Sequence, residues 1–452
     1  MELAFFSSNQ FTTTFSFTKC ISLSGLHLPE KKGKRFIIKS AESAMASTNV
    51  LSVPSWEALS ERAGLNSKVP IRLPEAEQRL FGGGNKQAAL IFYRDNSSWC
   101  PYCERVWIQL EEKEIPYSVQ KINMRCYGEK PAWYTRMVPS GLLPAVELNQ
   151  KVLTESLDIM MALEKAFPDH RPLLPAPGSA QADAVNSLLK LERSLVGEWL
   201  RRLRGAWAWK GGFESAMGKV DSALRRFDGP YFLGKEFSLV DAVYAPFLER
   251  IAASMPYWQG LIIRGSGQWP AVEAWFDSMD SRSSFQAVKS DDFTITHTLE
   301  PQIGPCLSLP AGAEYRAMVD GRNGSWDLPL KPEQTAWGMD DGSDSMAKVQ
   351  AARTLARNHH AVVGFALRGL KDGENYREAV DLGFRYVAYA LLVGYGDVDS
   401  LQELPKQVAE AAAYLRDRVG VPRDLSYPAA RQLRAHLHWL VKLVSPDLHF
   451  AT

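Results

Sequence analysis

The stretch Ala88-Ala89-Leu90-Ile91-Phe92-Tyr93, followed shortly by Trp99-Cys100-Pro101-Tyr102-Cys103, decides the fold. An unbroken apolar run of this length reads as a strand buried on both faces, as in a parallel sheet. From Glu104 to Glu114 the pattern turns helical, with Val106, Trp107 and Leu110 on one face and Glu111, Glu112 and Lys113 on the other. Pro116 ends that helix, and Tyr117 to Ile122 reads as a second, parallel strand. Two cysteines three positions apart where a strand passes into a helix form a redox motif. The helix N-terminus offers unpaired N–H groups and partial positive charge to a thiolate. The thiolate is the nucleophile, and a second cysteine one turn later can attack a disulfide made by the first.

Bringing a cysteine thiol from about 8.5 to near 6.5 takes roughly 2.7 kcal/mol of preferential thiolate stabilisation. A helix end supplies about 0.3–1 and at best about 2 kcal/mol. Direct N–H donation from Tyr102 or Cys103 is therefore expected, with Arg105 acting at longer range. Pro101 fits the first helical position, where a missing N–H costs nothing. The competing reading of Cys100 and Cys103 is half of a zinc site. It lacks a second Cys or His pair at ligand spacing, because Cys126 and Cys306 are isolated, so no metal is expected.

Downstream, a polar stretch from Asn123 to Met137 leads to two short strands, Ala145 to Leu148 and Lys151 to Leu153, joined by a tight turn at Asn149-Gln150. Ser156 to Phe167 reads as a helix that stops before Pro168. The order β-α-β then β-β-α is thioredoxin-like. A Pro-rich linker, His170 to Gly178, precedes a region of helical periodicity from Ala180 to about Val288. There Ser238-Leu239-Val240-Asp241 is a capping box opening an apolar helix. A third block is weakly patterned to about Ser345. It then carries helical runs at Ala347 to Leu370, Tyr376 to Gly394, Leu401 to Val419 and from about Pro428 to Val444.

The 452 residues include 52 Lys and Arg against 51 Asp and Glu, for a net charge of +1. Bulk charge therefore points to neither a nucleic-acid nor a membrane-surface partner. No apolar run reaches the roughly 20 residues that span a bilayer. Five cysteines are too few for a disulfide-stapled secreted chain of this size and fit a reducing compartment. Residues 1–45 are rich in Ser and Thr, poor in acids, and carry the cluster Lys31, Lys32, Lys34, Arg35 and Lys39. That composition reads as a transit peptide, to a plastid before a mitochondrion because arginine is scarce, with a cytoplasmic protein bearing a disordered tail as the alternative. Processing would remove Cys20. Residues 46–85 read as a lead-in or linker, and its Gly82-Gly83-Gly84 run lacks the Lys-Ser/Thr of a phosphate loop.

The chain resembles the glutathione transferase superfamily from about residue 86 to 295. The resemblance rests on Cys-Pro-Tyr-Cys-Glu-Arg-Val-Trp (100–107), Lys130-Pro131-Ala132-Trp133-Tyr134, Gly141-Leu142-Leu143-Pro144-Ala145-Val146, Leu153-Thr154-Glu155-Ser156, Gly229 to Gly234 and Phe237 to Asp241. The first half is most similar to the cysteine-type branch: the omega and lambda classes and the dehydroascorbate reductases. A further block with Arg418-Val419-Gly420-Val421-Pro422-Arg423-Asp424 and Ala429 to Leu437 makes the whole chain similar to the iota class of photosynthetic organisms. The implied architecture has a thioredoxin-like, glutathione-binding domain at 86–170 and an all-helical transferase C-terminal domain at 171–295. A mainly helical extension of unassigned function follows at 296–452.

The resemblance implies glutathione as co-substrate, with Cys100 as nucleophile and Cys103 as possible resolving cysteine. Pro144 would follow a cis bond that turns the Leu143 backbone toward an extended thiol peptide. Ser156 suits the α-carboxylate of a γ-glutamyl group and Glu155 its ammonium, while Lys130 matches the family position at the glycyl end. Trp133, Trp199, Trp207 and Trp209 are candidates for the second-substrate pocket, against the commoner reading of core aromatics. The expected activity is thiol transfer: Cys100 takes glutathione from a small-molecule or protein mixed disulfide, or reduces dehydroascorbate. Two other readings stand beside it: a carrier of a hydrophobic or pigment-like ligand, and a scaffold switched by a Cys100–Cys103 disulfide. Related classes differ in oligomeric state, which stays open.

Overall fold

The computed structural model describes residues 53–65, 71–82, 87–124, 128–205, 211–331, 344–395 and 403–447. The leader, Cys20, Cys126, Trp207 and Trp209 lie outside the described residues. The first part of the chain runs α1 (Trp56–Arg62), β1 (Gln78–Arg79), β2 (Leu90–Asp95), α2 (Pro101–Glu112), β3 (Tyr117–Ile122), α3 (Ala132–Met137), β4 (Ala145–Leu148), β5 (Lys151–Thr154) and α4 (Ser156–Ala166). Helices follow: α5 (Ala180–Leu203), α6 (Gly212–Leu224), α7 (Leu239–Gln259), α8 (Pro270–Asp280), α9 (Ser283–Val288), α10 (Asp292–Ile303) and α11 (Ala313–Val319). The C-terminal block holds α12 (Asp344–Arg357), α13 (His359–Ala366), α14 (Arg377–Val393), α15 (Lys406–Arg416) and α16 (Tyr427–Val444).

The sheet order is β1-β3-β2-β4-β5. The apolar strand β2 lies in the middle, parallel to β3 and antiparallel to β4, with Tyr93 opposite Ala145. Burial on both faces explains why its sequence does not alternate. Asn149 and Gln150, both with positive φ (51° and 63°), turn β4 into β5 and bring Thr154 opposite Ala145. A thioredoxin-like sheet thus stands against a helical layer, and one continuous apolar core joins β2, α2 and α4 to the helices α5 to α10.

Asp241 organises the helical layer. Its Oδ2 accepts the Ser238 N–H at 2.9 Å and the Ser238 hydroxyl at 2.6 Å. Its Oδ1 accepts Phe232 N–H at 3.1 Å and Trp275 Nε1–H at 2.9 Å. The capping-box carboxylate therefore ties the start of α7 to α8 and to the loop at Phe232. Burial raises its pKa, and these donors counter that.

Sequence and structure part company at three places. The Ala347 to Leu370 run reads as one helix but breaks at Asn358, whose Nδ2 donates to Thr354 O at 3.0 Å. A side chain that bonds a nearby carbonyl competes with helix continuation. The lead-in, read as a connector, contains α1, whose Trp56 and Leu59 enter the core of the C-terminal block. Trp56 Nε1 donates to Asp381 at 2.7 Å, and its ring stacks on His359. The lead-in also supplies β1, antiparallel to β3. Finally, the weakly patterned stretch before Ser345 carries α11, which packs on α7.

Asp241 yields a stability prediction. Asp241→Ala strands several buried donors, each worth about 1–3 kcal/mol when unpaired. A net loss of about 3 kcal/mol is expected, read as a lower urea midpoint. Asp241→Asn should recover only part of it, because its amide nitrogen meets donors. An unchanged midpoint in both variants would refute the hub.

Candidate functional site

The carboxyl end of β2 gathers the site. β4 begins there because it runs antiparallel to β2, and β5 returns there because it runs antiparallel to β4. Cys100, the Leu143-Pro144 turn and Glu155-Ser156 therefore meet at one end of the sheet, although 56 positions separate the ends of that set (100 to 156).

Cys100 is the N-cap of α2, and Pro101 is the first helical residue. The Cys100 Sγ accepts the Cys103 N–H at 3.4 Å. On the other side, Sγ lies 3.9 Å from the carbonyl oxygen of Leu143. The Leu143–Pro144 bond is cis. Tyr134 Oη donates to Leu142 O at 2.6 Å, and Lys130 Nζ donates to Gly141 O, so both hold the turn that faces the cysteine. Glu155, with φ 63°, precedes Ser156 at the first turn of α4. Ser156 is buried and Glu155 exposed.

Cys103 is 1 % exposed. Burial, and then the contact of its thiol with the Cys100 sulfur, push its pKa well above the ordinary 9.0. It is a thiol, not a thiolate, across the neutral range. Both cysteines are buried, but unlike in setting: Cys100, 7 % exposed, caps a helix and faces the Leu143 carbonyl, whereas Cys103, 1 % exposed, lies inside the first turn of that helix.

Three buried arginines brace the segment that leads into Cys100 and the first turn of α2. Arg94 donates to Asp95 O at 2.8 Å, to Ser98 Oγ at 3.0 Å and to Pro74 O at 2.9 Å. Asp95 Oδ2 accepts the Trp99 N–H at 2.7 Å. Arg105 pairs with Glu192 of α5 at 3.1 Å and lies over the rings of Tyr102 and Phe247. Arg250 of α7 donates to Trp99 O at 2.5 Å and to Glu104 Oε2 at 2.9 Å. Motif reading passes over Arg94, Asp95 and Arg250, and it gives no role to Glu104 or Tyr134, which stand inside quoted motifs. Their signal was present: charged pairs (Arg94-Asp95, Glu249-Arg250) inside otherwise apolar runs.

The tryptophans divide. Trp133 is 42 % exposed and packs on Tyr93 and Tyr134. Trp199 is 2 % exposed, with Nε1 donating to Ser254 at 2.9 Å, an environment of core packing between α5 and α7. In the third block the buried Arg434 pairs with Asp291, and the buried His436 Nδ1 lies 2.8 Å from Gln432 O. Among the described residues no group of three or more His, Cys, Asp or Glu is placed to hold a metal.

Fold and site together define a thioredoxin-like protein whose helix-capping cysteine faces a cis-proline turn, with a helical layer behind. The family model for the glutathione S-transferase N-terminal domain matches residues 99–166. Glutathione S-transferase L3 of Arabidopsis thaliana is 30 % identical over 194 residues, covering 42 % of this chain and 79 % of that protein. Glutathione S-transferase DHAR3, chloroplastic, of the same plant is 24 % identical over 207 residues, covering 45 % and 74 %. The crystal structure of glutathione transferase Omega 3C from Trametes versicolor aligns at 26 % identity and a TM-score of 0.39, over 52 % of this chain and 96 % of that one. The chain belongs to the glutathione transferase superfamily and is an enzyme of its cysteine-type branch.

Brief alkylation with iodoacetamide at pH 7, followed by peptide mapping, should label Cys100 and leave Cys103 unlabelled until the protein is denatured. Equal labelling of both in the native protein would contradict the sealed, protonated state of Cys103.

Proposed function

We propose that this enzyme is a glutathione-dependent thiol transferase with Cys100 as its nucleophile. The observation that carries the reading is the position of Cys100 Sγ, between the N–H of Cys103 at 3.4 Å and the Leu143 carbonyl at 3.9 Å. The backbone of Leu143 offers an extended thiol peptide a strand-like partner beside the sulfur. Ser156, at the N-terminus of α4, receives the γ-glutamyl carboxylate, Glu155 its ammonium, and Lys130 the glycyl end. Trp133 flanks the second substrate.

The chemistry is two exchanges. The Cys100 thiolate attacks the glutathionyl sulfur of a mixed disulfide. A new S–S bond forms, the old one breaks, and the substrate leaves as a thiolate that takes a proton from water. A second glutathione thiolate then attacks the glutathionyl sulfur on Cys100, releasing oxidised glutathione and restoring the Cys100 thiolate. Dehydroascorbate is a further substrate of this reading, as the resemblance to the dehydroascorbate reductases implies. Cys103 serves as donor to the Cys100 sulfur. Its raised pKa disfavours it as the resolving nucleophile, because attack needs the thiolate. The reading includes the division into 86–170, 171–295 and 296–452, and a plastid location, which the chloroplastic relative supports.

Mass spectrometry after treatment with oxidised glutathione tests this. A glutathione adduct on Cys100 is expected. Cys100→Ser should lose reduction of a glutathione mixed disulfide by about 10³-fold or more, as loss of a covalent nucleophile does. Cys103→Ser should retain that activity within about a factor of ten. Full activity in Cys100→Ser would overturn the proposal, and an internal Cys100–Cys103 disulfide as the main product would assign Cys103 the resolving role.

A further inference from the structure

The loop Val419–Asp424 of the C-terminal block is connected to the segment that presents Cys100 along two separate routes of hydrogen bonds, bridged in the first by the carboxyls clustered on Arg250 and in the second by the backbone from Arg72 to Pro74. The first starts at Val421 O, which accepts the Ser290 hydroxyl at 2.5 Å. The Ser290 N–H donates to Glu249 Oε1 at 2.5 Å. Glu249 and Glu104 both face Arg250, at 3.5 and 2.9 Å, and Arg250 donates to Trp99 O, the carbonyl next to Cys100. The second route starts at Pro422 O and Asp424 O, which accept Arg72 at 3.0 and 2.8 Å. Arg72 stands two positions from Pro74, whose carbonyl accepts Arg94. Arg94 in turn holds Asp95 O and Ser98 Oγ.

Most of these groups are sealed from water: Val421, Ser290, Glu249, Arg250, Glu104, Arg94 and Asp95 are all buried. In such surroundings a donor or acceptor that loses its partner is not rescued by solvent. Displacing the loop therefore obliges Ser290 or Arg72 to find new partners. Ser98 and Trp99 immediately precede Cys100, so a shift of that segment is carried to the sulfur and to its setting between the Cys103 N–H and the Leu143 carbonyl. The same loop is itself pinned from the other side, since Arg434 of α16 donates to Val419 O at 2.6 Å and Val421 N–H donates to Thr294 at 3.1 Å.

We infer that the Val419–Asp424 loop is a positioning element for Cys100, so that docking of the C-terminal block sets the reactivity of that thiol. Arg250 and Arg94 are the positioning residues through which it acts, and Ser290 and Arg72 are its two handles. This goes beyond thiol transfer as such and needs only that Cys100 be a reactive thiol. It also gives the block a part in the active-site frame.

A double-mutant cycle on the full chain tests the inference, with the rate of Cys100 alkylation by iodoacetamide at pH 7 as readout. That readout uses no glutathione, so it stands or falls apart from the transferase reading. Ser290→Ala and Arg72→Met should each slow alkylation about threefold, and the double variant about tenfold, as independent routes combine. Ser290→Thr, which keeps the hydroxyl, should restore the rate. Lys442→Met, which removes a surface ion pair with Asp327 in the same block, should leave it unchanged. Alkylation within experimental error of the parent in both single variants overturns the inference. A loss shared equally by Ser290→Ala and Ser290→Thr assigns the effect to packing and overturns the first route. If the double variant fails to fold, the single variants and the threonine rescue decide.

Discussion

Parallel strands cannot be joined by a hairpin, and that constraint places everything at this site. β2 and β3 pair in parallel, so the chain must cross over between them, and α2 is the crossover. Its N-terminus then has to open at the carboxyl end of β2. The helix arrives there with N–H groups that have no partner inside the helix, and the residue that accepts one of them is Cys100. The antiparallel pairings of β4 with β2 and of β5 with β4 return the Leu143-Pro144 turn and the Glu155-Ser156 helix start to the same end of the sheet. No long-range design is needed beyond strand order: the topology itself assembles residues far apart in sequence.

The arginines around this end of the sheet carry the larger electrostatic cost. Arg94, Arg105 and Arg250 are all buried, and an unpaired guanidinium in such a place would cost several kcal/mol, on the order of the penalty for any buried ion. Arg105 and Arg250 pair with Glu192 and Glu104, and the neighbouring Asp95 charge favours the cation of Arg94, which bonds carbonyls and a hydroxyl. Around Arg250 there are two carboxyls for one cation. Burial raises the pKa of both, and repulsion from Glu104 adds to that at Glu249, while Arg250 counters it. Buried ion pairs of this kind are weak sources of net stability compared with apolar packing. What they provide here is a set of short, directional bonds to the Trp99 and Asp95 carbonyls and the Ser98 hydroxyl, which an apolar core could not make.

Much of this was legible in the sequence, and the boundary follows sequence separation. β2, α2, β3 and the β4–β5 turn are local patterns: an apolar run, a period of 3.6, a proline stop, two turn residues. They appear within a residue or two of where periodicity puts them. The strand-to-helix setting of Cys100 is local too. The break at Asn358 escaped because a side chain that can serve a helix or compete with it gives one composition and two outcomes. The helix α1 escaped for a different reason. Seven residues are too few to be stable alone, and Trp56 and Leu59 find their partners across some three hundred positions, in α12 and α14. The same holds for Arg250: a charged pair in an apolar helix signals a buried partner but does not say which one.

The motif Arg418 to Asp424 shows how a conspicuous sequence feature can have a structural explanation in backbone carbonyls. Its side chains give no ligand-like cluster. Val419, Val421, Pro422 and Asp424 instead lend their carbonyl oxygens to Arg434, Ser290 and Arg72. Pro422, with its cis bond to Val421, has no N–H of its own to satisfy, and the Gly420 N–H is taken by Asp424 at 2.8 Å. At the other end of the chain α1 fills the core of the same block. The C-terminal block is therefore fastened to residues before the sheet and after α9 alike. Its removal would bare Trp56 and Leu59 and leave Ser290 and the Asp291 carboxylate without the partners that burial requires. Each stranded group costs about 1–3 kcal/mol, and an uncompensated buried charge more. On these terms the block behaves as a wall of the enzyme, not as a tethered module, and the thiol at the end of the sheet is framed from both ends of the sequence.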